Sequence, residues 1–187
     1  MDLRIERTYR SLISAFEELL EQSHYEDITI SALCDKAMIR RTTFYKHFAD
    51  KDEFFIFFLR SLREEFELHS QSEIASSQKK TTDNSEFLLL KELIAFLDNH
   101  EQLVSNLLQS RASGALIDMM ANVLEREIVN QLADNSVFAS YSLVDLSIRA
   151  QFISGGVIRT LQQWIVKNKQ RDIEAELKVL LIPLMTA

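Results

Sequence analysis

Apolar side chains at Ile5, Tyr9, Leu12, Ile13, Phe16, Leu19 and Leu20 recur every three or four positions. The spacing predicts one face of a helix about five turns long over residues 3–22. The polar stretch QSHYEDI then reads as a linker. Thr29 stands where an N-cap belongs, before a short helix running through Ala37 that buries Ile30, Leu33 and Cys34. Ile39 breaks the period. A second short helix follows from Arg40 or Arg41 to His47, with Phe44 and Phe48 pointing inward. Asp50 and Glu53 have the spacing of a cap and its reciprocal N3 partner at the start of a long helix reaching at least Leu68.

Between Ser70 and Glu86 only Ile74 and Ala75 are apolar, which predicts a solvated helix end, then a loop and a boundary. Beyond it the pattern predicts helices over 86–98, 100–109, 112–132, 141–168 and 172–185, with no internal repeat. The expected division is a compact N-terminal helical module over 1–52 and a larger helical body over 53–187.

Three Gly and one Pro in 187 residues are too few for the tight turns of a β-rich chain. A 47% hydrophobic composition supports a substantial core, so the expected fold is all-α. The lone Cys34 forms no intramolecular disulfide, and MDLRIERTYR passes into helical periodicity without a signal sequence. The apolar run Phe54–Leu59 is far shorter than a bilayer span. The expectation is a soluble cytoplasmic protein with no membrane partner.

Charge is distributed unevenly. The chain carries −7 overall, yet Lys36, Arg40, Arg41, Lys46 and Lys51 against Asp50 make residues 36–51 +4, leaving −11 elsewhere. Two short helices packed on a longer one make a helix-turn-helix, whose second helix enters the major groove. Arg and Lys donate to guanine edges or phosphates, and Thr pairs with base edges or meets a thymine methyl. Tyr and His reach phosphate oxygens, which fix register without reading sequence. The competing reading of such a cluster is a merely solvated helix face.

The segment ITISALCDKAMIRRTTFYKHFADKDEFF resembles the DNA-binding region of TetR-family bacterial transcription regulators, through Thr29, Ala37, Thr43-Phe44-Tyr45, Phe48 and Lys51. FISGGVIRTLQQWIVKNKQRDIEAELKVLLIPLM resembles the last two helices of one subgroup, which also favours an IRRxTFYxxF recognition helix and includes a dihydroxyacetone kinase operon co-activator. The resemblance implies a DNA-facing set of Thr29, Arg40, Arg41, Thr42, Thr43, Tyr45, Lys46, His47 and Lys51. Base reading falls to Arg41, Thr42, Thr43 and Lys46, phosphate anchoring to Thr29, Tyr45, His47 and Lys51, and either role to Arg40. Met38 departs from a Gly frequent in the family's turn, which predicts a tighter or re-angled turn. Arg40 and Thr42 stand where a small Ser or Gly is common.

The resemblance further implies a homodimer on a pseudo-palindromic double-stranded operator, acting as a ligand-responsive repressor. Its four-helix interface would use Phe152, Gly155, Gly156, Arg159, Gln163, Leu177 and Leu181. The alternative for the glycines is relief of crowding inside one subunit. A small-molecule effector would lie among Phe87, Leu90, Phe96, Met119, Met120, Val123, Phe138 and Phe152. Two alternatives keep the fold: a co-activator controlled by a protein partner, and a helical interaction protein without DNA binding.

Enzymatic chemistry finds no footing. His24, His47, His69 and His100 are scattered, and the chain has no Gly-rich phosphate loop, Gly-x-Ser-x-Gly elbow or HExxH. No cofactor or metal is expected.

Overall fold

The computed structural model describes residues 3–77, 88–167 and 172–186, leaving aside the side chains of 71–77 and 186. Among these the regular structure is helical: α1 Leu3–Leu20, α2 Ile30–Lys36, α3 Arg41–Phe44, α4 Lys51–Ser77, α5 Leu88–Asn99, α6 Glu101–Leu108, α7 Ser113–Asp134, α8 Leu143–Val166 and α9 Ile173–Thr186. Single 3₁₀ turns occur at Tyr25–Asp27 and Ser136–Phe138.

The residues group into two compact units. One contains residues 1–62 with 100–116, and the other 63–99 with 117–187. This differs from a cut at residue 52, because α6 and the start of α7 belong with the N-terminal helices. The link is a buried amide. Asn106 Nδ2 donates to the Leu20 carbonyl at the end of α1 (2.6 Å), while its Oδ1 accepts from Gln102 (3.2 Å). A sequence separation of 86 residues hides such a contact from local pattern reading.

Phenylalanine fills the core of the first unit. Phe16, Phe44, Phe54 and Phe58 are fully buried. Phe16 meets Phe54 and Phe58 edge-on at 5.2 and 4.9 Å, a geometry worth about 0.5–1.5 kcal/mol per pair beyond burial. Caps fix where α2 and α4 start. Thr29 Oγ1 accepts from Ala32 N–H (3.1 Å) before α2, and Asp50 Oδ1 accepts from Glu53 N–H (2.8 Å) before α4. Glu53 reaches back to the N–H of Ala49 rather than Asp50, a box displaced by one residue (2.6 Å).

In the second unit, α8 begins with a full capping box between Ser142 and Asp145 and packs on α9. The last carbonyls of α9 are satisfied from outside the helix: Arg149 donates to Leu184 O (2.9 Å) and Asn135 to Met185 O (3.3 Å). Pro183 lies three residues before the helix ends, so α9 forgoes the bond that position 183 would have donated to the Val179 carbonyl.

Candidate nucleic-acid interface

The recognition helix is held by one side and read from the other. Phe44 is buried against Phe48 and Phe54, with centroids at 5.4 and 5.8 Å. Fixing that ring turns Arg41, Thr42, Tyr45 and Lys46 outward together, with Thr43 and His47 half-buried at the margin. Arg40 is the N-cap in extended conformation and gives no side-chain cap. Its carbonyl accepts from Thr43 and Phe44 N–H (2.8 and 3.2 Å), and the residue is exposed to solvent.

The five cations of residues 36–51 divide into two kinds. Lys36 pairs with Glu18 at 2.5 Å, and Lys51 is bound inside the fold. The side chains of Arg40, Arg41 and Lys46 make no hydrogen bond or ion pair among the described residues. Those three form the outward positive patch.

The turn before α3 is not re-angled to avoid strain. Met38 itself takes a left-handed backbone, φ 55, the one such non-Gly residue among those described. Met38 N–H donates to Asp35 O (3.2 Å) and Ile39 N–H to Cys34 O (3.0 Å). This paired closure of a helix C-terminus ordinarily uses Gly at the left-handed position. The Met side chain is 93% exposed, so packing supplies no compensation.

Lys51, expected at a phosphate, turns its ammonium back onto the fold. Its ammonium donates to the carbonyls of Tyr25 (2.8 Å), Glu26 (3.4 Å) and Ile28 (2.8 Å), and lies 4.2 Å from the centre of the Tyr25 ring. All three N–H donors are therefore committed within the protein. Burial lowers the Lys51 pKa, while the carboxylates of Asp52, Glu26 and Asp27 act the other way. Tyr25, which sequence reasoning left in a linker, is buried and donates its hydroxyl to Asp52. Burial, then that hydrogen bond and the neighbouring carboxylates, push the tyrosine pKa upward. A lone aromatic between polar residues was the available signal.

Of the remaining expected contacts, Thr29 is exposed, with its hydroxyl oxygen accepting the α2 cap bond. The His47 ring leans on Tyr9, with centroids 5.2 Å apart and Nδ1 3.4 Å from the hydroxyl.

Residues 12–56 match "Bacterial regulatory proteins, tetR family", and residues 83–182 match "Transcriptional regulator C-terminal region". The second match alone covers more than half of the 187 residues. The chain belongs to the TetR family of bacterial transcriptional regulators. A curated relative, the uncharacterised HTH-type transcriptional regulator YxbF of Bacillus subtilis (strain 168), is 46% identical over 54 residues. That match spans 28% of this chain and 14% of the relative's length.

Solved TetR-like folds align along nearly the whole chain. The fatty acid degradation regulator FadR from Bacillus halodurans has a TM-score of 0.65 at 17% identity, covering 96% of this chain and 98% of its own. The TetR-family repressor AlkX from Dietzia sp. strain DQ12-45-1b, implicated in n-alkane biodegradation, gives 0.56 at 18% identity, covering 96% of each chain. The dihydroxyacetone kinase operon activator DhaS gives 0.53 at 16%, covering 95% and 94%. These likenesses show a shared fold and do not single out the co-activator subgroup.

The regulatory half of this TetR-family chain corrects several expectations. Leu177 and Leu181 are buried within their own subunit, and α9 instead exposes Val179, Leu180 and Ile182. Helix α8 exposes Leu143, Val144, Ile148 and Phe152, continued by Gly155, Gly156 and Arg159, with Gln163 half-buried. At 73% exposure Phe152 walls no cavity in its own subunit, so its place in the expected effector set is withdrawn. A Cβ on Gly155 or Gly156 would meet nothing within 4 Å, so neither glycine relieves crowding inside the subunit.

Of the other expected effector-lining residues, Leu90, Met120, Val123 and Phe138 are buried, and Phe96 and Met119 are partly so. Phe87 lies outside the described residues. A groove of the first unit, lined by Leu3, Arg7, Ser11, Glu18, Lys36 and Met38 among others, contains none of this set. No helix among the described residues is long and apolar enough to cross a membrane.

Proposed function

We propose that the protein is a homodimeric, DNA-binding repressor of transcription whose hold on a pseudo-palindromic operator is changed by a small molecule. The observation that carries this reading is the outward trio Arg40, Arg41 and Lys46 on a helix anchored from behind by Phe44. In an acidic chain those three charges make a local positive potential that a polyanion such as duplex DNA would meet. Arg41, Thr42, Thr43 and Lys46 read base edges; Thr29, Tyr45 and His47 hold phosphates; Arg40 serves at the margin of both.

Two copies of such a head read two half-sites, and the bare apolar strip of α8 and α9 is the pairing surface. Gly155 and Gly156 leave a flat place there for a partner helix to approach. Effector response belongs to the second unit, where Leu90, Phe96, Met119, Met120 and Val123 supply apolar walls. Selection from random duplex DNA tests the reading, with binding of the enriched site measured from about 50 to 200 mM salt. A two-fold site with a steep salt dependence is expected. Enrichment of no duplex at the lowest salt rejects the proposal.

A further inference from the structure

Lys51 opens α4, yet its ammonium crosses to the 3₁₀ turn that precedes α2. Two of its three bonds are 2.8 Å, to Tyr25 O and Ile28 O. Ile28 O belongs to the residue before Thr29, which caps α2. One side chain therefore ties the approach to α2 directly to the first turn of α4. Asp52, the next residue of α4, holds the same Tyr25 by its hydroxyl. The tyrosine is gripped by hydroxyl, ring face and carbonyl from two consecutive positions of one helix.

Helices α2 and α4 are the two elements that bracket the recognition helix in sequence, and beyond the buried Phe44 that helix brings no polar tie of its own among the described residues. It has one turn, no side-chain cap, and a strained left-handed residue on its N-terminal side. Its placement depends on the separation of its neighbours. Three charge-assisted hydrogen bonds from one ammonium fix that separation, and no free N–H remains for a phosphate oxygen.

We infer that Lys51 is a positioning residue of the DNA-reading head, one that sets the spacing of α2 and α4 around the recognition helix, and is not itself a phosphate ligand. The inference rests on the DNA-binding reading above.

The test compares the full-length protein with Lys51→Met, which keeps the apolar stem and removes the donors. Binding to the selected operator is measured by fluorescence anisotropy at low temperature across the same salt range. The expected result is a Kd weakened on the order of tenfold at every salt concentration, with parallel log–log salt slopes. A slope shallower by about 0.9 would mark a lost phosphate contact and overturn the inference. So would a variant of lower melting temperature but unchanged Kd, which would make the lysine merely structural.

Should Lys51→Met not fold, the wild-type ammonium is followed by ¹⁵Nζ NMR. A protected resonance that does not move when operator is added supports the assignment, and a shift as large as that of Lys46 overturns it. If wild-type protein binds no duplex, the DNA-binding reading fails, while the protection of the ammonium is still decided by the spectrum.

Discussion

The backbone N–H of Ile39 donates to the carbonyl of Cys34 at 3.0 Å, closing α2 across a residue that is not glycine. A left-handed backbone costs an L-residue with a Cβ roughly 1–2 kcal/mol, part of which glycine returns as entropy of the unfolded chain. Met38→Gly is therefore expected to raise stability by about 0.5–1 kcal/mol in urea denaturation, with an unchanged m-value. Met38→Val, β-branched at the same φ, should lose more than about 1 kcal/mol.

Asn106 carries α6 into the first unit. Its amide reaches Leu20 O and accepts from Gln102 in a setting that is 8% exposed. Replacing it with Leu keeps the volume and strands the Leu20 carbonyl, while the exposed Gln102 amide turns to water. Asn106→Leu should cost about 2 kcal/mol by chemical denaturation, and a cost below about 0.5 kcal/mol would deny that the amide ties α6 to α1.

Glu26 ties the α6–α7 corner to the Tyr25 turn by accepting the Arg111 N–H. That bond and its own N–H hold the carboxyl below its ordinary pKa against desolvation, with the charges of Arg111 and His24 adding lesser help. A depressed carboxylate stabilises the fold above its unfolded pKa, and that gain is lost as pH falls through the folded value. Wild type should melt about 1–3 °C above Glu26→Gln at pH 7. The gap should close as pH drops below the ordinary carboxylate range, and a gap independent of pH would rule out the charge as its source.

The proposed pairing strip and the subunit core can be separated by mutation, because Phe152 and Ile148 are exposed while Leu177 is buried. Phe152→Asp places a charge on the bare strip and should yield folded monomers in sedimentation velocity. Leu177→Ala empties a buried site and should cost about 2–4 kcal/mol of subunit stability. A dimer that survives Phe152→Asp together with Ile148→Asp would move the interface off α8.

The spacing of apolar residues located α1 and α2 because each shows water one polar face, whereas α8 was legible from the length of an apolar run that covers more than one face. It placed the caps at Thr29 and Asp50, since those signals are local, while the Ser142 cap of α8 was not anticipated. Helix α9 defeated it: LKVLLIPLM is apolar on every side, so nothing in the run distinguishes Leu177 and Leu181 facing inward from Val179 and Leu180 facing outward. The role of Lys51 was equally hidden. A lysine at a helix start looks the same whether its ammonium meets a phosphate or a carbonyl 23 to 26 positions earlier. The grouping of α6 with the head rests on Asn106 and Leu20, far apart along the chain, where periodicity carries no information.

Division of labour on the exposed face of the recognition helix gives the sharpest test of the DNA-binding reading. Arg41 and Tyr45 lie four residues apart, so they project from the same side of one turn. Their chemistry differs. A guanidinium can hold guanine O6 and N7 together, and loss of such a pair costs about 1–3 kcal/mol against that base only. A phenol hydroxyl offers one neutral bond to a phosphate, which every sequence presents alike. Arg41→Ala should therefore flatten the preference at one position of each half-site in a repeated selection. Tyr45→Phe should weaken all sites by a common factor of a few-fold, with the salt slope and the selected sequence unchanged. If Tyr45→Phe altered the preferred bases and Arg41→Ala did not, the helix would be docked in a different rotation from the one its buried Phe44 imposes.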